Sequence, residues 1–143
     1  MRINWLGIII SAILMVALRY LWYAHFAGAG WGDLVNQAIA GVNASQKSAG
    51  LELVNALVLS LGIGWVAGLS GRSPATGLGV GLATGILFGV TAVAEGYIHG
   101  APLKDFMVDG GYALAAYTLA GLVIGALAPK RSSAWMRRSS AAS

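Results

Sequence analysis

The 143-residue sequence has no cysteine, only three prolines, and few charges, with Asp, Glu, Lys and Arg together making up 10%. Without cysteine there is no disulfide, no zinc–thiolate site and no iron–sulfur cluster. A soluble domain carries about 25% charged residues. This chain lacks the polar groups to cover its own surface, which argues against a soluble monomer, a disordered chain and a nucleic-acid binder. Enzymatic signatures are missing too. There is no HExxH motif, no Ser/His/Asp order and no pair of catalytic carboxylates, so hydrolysis has no visible machinery. Gly77-Leu78-Gly79-Val80-Gly81 fits neither the dinucleotide fingerprint nor the phosphate-binding loop, which needs a following Lys-Ser/Thr. The expectation is a non-enzyme without a cofactor or resident metal.

What is present is apolar residues and glycine. Hydrophobic residues reach 57% and glycines number 21, with a mean hydropathy of +0.73. Crossing the hydrocarbon core takes roughly 20 apolar residues. Four stretches qualify, at about 5–27, 51–69, 75–98 and 106–128. Alternating strand patterning is absent, and backbone groups in lipid must be satisfied within their own segment, so the runs should be helices. The expected fold is all-α, a four-helix transmembrane bundle over residues 1–128, followed by a basic tail at 129–143. Ser70-Gly71-Arg72-Ser73-Pro74 and Gly100-Ala101-Pro102 read as short turns that make consecutive spans antiparallel neighbours.

The segment between spans one and two is longer. Asp33 suits a helix cap, and Leu34, Val35, Ala38, Ile39 and Val42 share one helical face. A short interfacial helix anchored by Trp31 and an ordinary polar loop are equally good readings of so short a pattern. Asn43-Ala44-Ser45 matches a glycosylation sequon, a three-residue pattern that is common by chance. The first span resembles a secretory signal up to Ala27-Gly28-Ala29, but it runs on past Arg19 into Leu21-Trp22-Tyr23, the aromatic belt of a retained helix.

Basic residues set the expected orientation. Arg2, Arg72, Lys130, Arg131, Arg137 and Arg138 fall on one side, against Lys47 and Lys104 on the other. Six against two predicts that both termini are cytoplasmic and that the tail lies on the anionic inner leaflet, at about 1 kcal/mol per basic residue.

Two features carry the expected packing and chemistry. Gly77, Gly81, Gly85 and Gly89 place a glycine at every fourth position of span three, with Gly64 and Gly68 in span two and Gly121 and Gly125 in span four repeating the spacing. Such stripes let helices approach closely, within one chain or between chains. The ionisable residues of the spans are Arg19, His25, Glu52, Glu95, His99 and Asp109, all on the side opposite the termini under this topology. Arg19 stands 14 residues after Trp5, about 21 Å along the helix. An arginine at that depth needs a partner, and Asp109, with Glu95 as second choice, is nearest in depth. The expectation is an outward-facing polar pocket or a structural ion pair. Glu95 and His99 are four apart on one helical face with His25 on the same side, a set that would suit a metal site or, through the two histidines, one haem. Histidines at wet helix ends without a third strong ligand are better read as plain surface groups.

Asn4-Trp5-Leu6, Leu21-Trp22-Tyr23 and Trp31, and above all Pro102-Leu103-Lys104-Asp105-Phe106-Met107-Val108-Asp109-Gly110-Gly111-Tyr112, resemble a family of bacterial membrane proteins, domain of unknown function 1761. The resemblance covers about residues 4–128 and implies four spans with no assigned activity. Two function classes follow. One is a structural or accessory subunit that packs through its glycine faces against itself or a larger membrane complex. The other is an oligomeric carrier or channel for a small solute or ion, using the pocket around Arg19.

Overall fold

The computed structural model describes residues 3–27, 46–71, 73–100 and 102–129. Every backbone donor in hydrocarbon must find its acceptor nearby, and the apolar runs accordingly coil. The helices are α1 (Trp5–Ala27), α2 (Gln46–Ser70), α3 (Pro74–Thr84), a π-helical segment (Gly85–Val90), α4 (Thr91–Ile98) and α5 (Leu103–Ala126). The segments α3, π and α4 form one continuous third rod. All four rods are long and apolar enough to cross a membrane, and no strand occurs among the described residues. The architecture is a four-helix, multi-pass membrane bundle.

Three features differ from the sequence reading. α2 begins at Gln46, ahead of the apolar run expected from Leu51, because a helix continues into polar residues once its chain leaves lipid. α5 begins at Leu103 rather than Phe106, since Pro102 supplies a ready helix start and Asp105 favours the first turn. The third rod is not purely α-helical, because the π segment interrupts it at mid-span. The interfacial helix, the Asn43 sequon and residues 130–143 of the tail lie outside the described residues.

The turns follow from local chemistry. Ser73 Oγ accepts the Thr76 amide at 3.0 Å, and Pro74 fills the first helical position, the arrangement that starts a helix cleanly. Gly71 and Gly100 have φ of +135° and +99°, a region that L side chains avoid.

Packing centres on α5, which touches every other rod. Its core positions are small: Ala116 and Ala120 are fully buried. Against them lie Ile8, Ala12 and Met15 of α1 and Ala56 and Ile63 of α2. The third rod packs by backbone. A Cβ placed on Gly77 would overlap the Gly121 carbonyl oxygen, and one on Gly81 the Tyr117 carbonyl oxygen. At Gly85 it would meet Leu114 Cα at 3.3 Å, and at Gly89 the Ala113 Cβ at 2.5 Å. The reverse holds for Gly121 against Gly77 and for Gly125 against Ser73. Close approach of this kind is what stabilises helix pairs in lipid, where no hydrophobic drive exists between helices.

One asymmetry positions the site. α2 touches the third rod only along α3. From Gly85 onward the third rod follows α5, and α2 falls away. At the end carrying Ile3 and Pro129, the closed end, α2 therefore meets the third rod and Asn4 Nδ2 donates to the Ile124 carbonyl at 3.0 Å, although an apolar groove remains there between α2 and α5. The bundle is split at the other end.

Candidate ligand site at the split end of the bundle

The split leaves a cavity of about 290 Å³ reached by all four rods. Arg19 and Tyr23 come from α1, Glu52 and Asn55 from α2, and Asp109 and Tyr112 from α5. Phe88 of the π segment and Ala92 of α4 form part of the apolar wall. Helical spacing accounts for the convergence: Arg19 and Tyr23 are four apart, Asp109 and Tyr112 three apart, so each pair shares a face.

Arg19 Nη2 lies 3.6 Å from Glu52 Oε1, with the two side chains 46% and 25% exposed. This is an ion pair beyond good hydrogen-bond length. Glu52 Oε2 is buried without a hydrogen-bond partner. The Arg19 guanidinium also sits 5.8 Å from the Tyr23 ring centroid, within cation–π range. Asp109 has a neutral partner, the Tyr23 hydroxyl, which donates to Oδ1 at 2.5 Å. The Tyr23 and Tyr112 rings are 5.7 Å apart and tilted by 50°. Two hydrogen bonds fix this wall. Tyr112 donates to the Met15 carbonyl at 3.2 Å, and Trp22 Nε1 to the Val108 carbonyl at 2.9 Å. Gly111 makes room for Trp22, since a Cβ there would stand 2.9 Å from the indole.

The structure brings Arg19, Glu52 and Asp109 to one cavity and leaves Glu95, His25 and His99 outside its lining. The expected partner of Arg19 is corrected. Asp109 pairs with Tyr23, one helical turn beyond Arg19, while Glu52 on the adjoining α2 stands level with the guanidinium. Glu95, the second choice, is exposed on α4. His99 Nδ1 lies 2.7 Å from the Glu95 backbone oxygen, not from its carboxylate. His25 packs edge-on against the Phe26 ring. No group of three His, Cys, Asp or Glu suited to a metal occurs among the described residues. Tyr23, Tyr112 and Asn55 were missed as site residues. Tyr23 had a signal, since it lies one turn from Arg19 on the same face.

At the closed end a second, apolar cavity of about 430 Å³ runs between α2 and α5, lined by Val58, Gly64, Trp65, Gly68 and Ile124 among others. Gly64 abuts Ile8, whose Cγ1 would be 3.3 Å from an added Cβ.

The sequence model of a family described as "Protein of unknown function (DUF1761)" matches residues 6–125. No curated protein and no solved structure matches the chain. With four helices able to cross a membrane and a family match covering most of its sequence, the chain belongs to the DUF1761 family of proteins of unknown function.

Proposed function

We propose that this protein binds a small polar or ionic solute in the cavity between its four rods and acts as an oligomeric carrier or channel for it. One observation carries the reading: three ionisable side chains from three rods converge on a single cavity at the split end of the apolar bundle. Ionisable groups within apolar spans are costly and often mark a solute path. Four spans enclose little volume by themselves, so passage across the membrane calls for several copies. The accessory-subunit reading has weaker support, because the glycine stripe that would dock a partner is occupied by α5 of the same chain. It keeps one argument, the apolar cavity at the closed end.

The test is reconstitution of the full chain in liposomes, with uptake of labelled methylammonium, acetate and glycine measured against protein-free vesicles. The reading requires faster uptake of at least one, lost in Glu52→Gln or Asp109→Asn. No uptake above background for any of them refutes it, and co-purification of a stoichiometric membrane partner would then favour the accessory role. From the six-to-two bias of basic residues we further propose a bacterial inner-membrane location with both termini cytoplasmic, the split end outward and the tail on anionic lipid. A cysteine introduced by Ser140→Cys should resist an impermeant reagent in intact cells, and one introduced by Ser45→Cys should react. The reverse pattern overturns the orientation.

A further inference from the structure

The geometry points to an organic ammonium ion as the ligand of the split-end cavity, held by Asp109 and the tilted Tyr23/Tyr112 ring pair. This rests on the cavity being a ligand site, as proposed above. Among the described residues the cavity carries one basic and two acidic groups, Arg19 against Glu52 and Asp109, so +1 − 2 leaves one negative charge. Arg19 already faces Glu52 at 3.6 Å and the Tyr23 ring. Among the described residues the group left without an ion-pair partner is Asp109, which is part-buried and whose hydrogen-bond partner is a neutral phenol. An anion so placed attracts a cation beside it. The carboxylate has about four acceptor positions, and the Tyr23 hydroxyl occupies one.

The walls choose the kind of cation. Calcium wants six to eight oxygens, and magnesium a near-ideal octahedron. No cluster of three metal-binding side chains is present among the described residues. A bare ion would also leave the aromatic and aliphatic wall without a role. An ammonium group uses both. Its N–H bonds go to the Asp109 carboxylate, and its charge faces the π clouds of Tyr23 and Tyr112, 5.7 Å apart. Its carbon body lies along Val16, Leu59 and Val93. A volume near 290 Å³ is at the small end of ligand pockets, about 300–1,000 Å³, so the cation is small.

The experiment uses the full chain in nanodiscs and follows thermal stability and calorimetric binding with phenethylammonium. Phenylacetate, of the same shape and opposite charge, and sodium chloride at equal concentration are the comparisons. Phenethylammonium should bind saturably and raise the melting temperature, while phenylacetate and sodium chloride should not. Asp109→Asn should weaken binding at least tenfold, and Asp109→Glu should retain most of it. Tyr112→Phe, which keeps the ring, should bind like the parent, whereas Tyr112→Leu should bind several-fold more weakly. The unliganded melting temperature of each variant reports whether it is folded. Saturable binding of phenylacetate that is lost in Arg19→Met would overturn the ammonium assignment and leave the solute site standing. Equal responses to both organic ions, a response to sodium chloride alone, or undiminished binding in a folded Asp109→Asn variant would also overturn the assignment. No response to any of the three overturns both it and the solute site.

Discussion

Three alanine substitutions on the third rod should have ranked and opposite effects. Gly81→Ala places a methyl group on the Tyr117 carbonyl oxygen, a backbone atom that no rotamer change can move aside. The two rods must part. At Gly89 the corresponding Cβ meets Ala113 Cβ at 2.5 Å, where ordinary carbon contacts are about 3.5–4.0 Å, so the separation needed along this face is about 1 Å. A gap of that size forfeits roughly a quarter to a half of each contact's attraction, and overpacking of buried sites typically costs about 1–3 kcal/mol. The methyl group also recovers up to about 1 kcal/mol of helix propensity. Gly81→Ala should still be destabilising, by about 1–2 kcal/mol. Gly85→Ala meets its neighbour at 3.3 Å, a shift of a few tenths of an ångström, and should change stability by less than about 1 kcal/mol. Gly79 has nothing within 4 Å of a Cβ, so Gly79→Ala should be neutral or stabilising by up to about 1 kcal/mol. Reversible unfolding by SDS titration in mixed micelles gives the three values on one scale. If Gly79→Ala destabilised as much as Gly81→Ala, the stripe would not be the contact face and the packing argument would fail.

The Arg19–Glu52 contact should give a coupling of about 0.5–1 kcal/mol in a cycle of Arg19→Met and Glu52→Gln, since both groups are partly exposed. Additive effects, or a larger coupling of Arg19 to Asp109, would contradict the assignment of partners. Tyr23→Phe removes an exposed donor to a carboxylate and should cost about 0.5–1.5 kcal/mol. The same change made on an Asp109→Leu background should lose most of that effect, and an undiminished loss there would place the role of Tyr23 elsewhere. Ser73→Ala deletes the cap of α3 and should lower unfolding stability by about 1 kcal/mol. Ser70→Ala, at the far side of the turn, provides the reference, and equal losses would mean the cap is not formed.

The spans were legible because hydrocarbon thickness imposes one length and one composition on any helix that crosses it. The contact face of the third rod was marked by the spacing of Gly77, Gly81, Gly85 and Gly89, since a repeat of four stays on one side of a helix. The partner of Arg19 was not legible. The second span, Gly50–Ser70, lies where its apolar run put it, but an apolar run gives depth only to within about a turn, and α5 starts at Leu103, ahead of the run at Phe106. A turn is the difference between Asp109 facing Arg19 and Asp109 facing Tyr23. Tyr23 reads as a belt aromatic, and nothing in the sequence ties it to Tyr112, because ring-to-ring geometry depends on how two rods cross. The π segment has no compositional mark at all. It is where the third rod departs from α2, and the cavity exists because of that departure.

The location of the Arg19–Glu52 pair has a consequence for how the chain enters the membrane. Both residues belong to the first two rods, whereas α5, the hub of the finished bundle, is synthesised last. Chains emerge at about 5–20 residues per second, so α1 and α2 spend several seconds in lipid before α5 exists. During that interval the hairpin holds one cation and one anion that can already meet, and it is delivered to the bilayer without a net charge at this level. Asp109 arrives afterwards, with Tyr23 in place to receive it. The order of the polar contacts thus follows the order of synthesis. Moving the anion from position 52 to α5 would leave Arg19 unmatched through the whole of insertion, even if the finished bundle were equally stable.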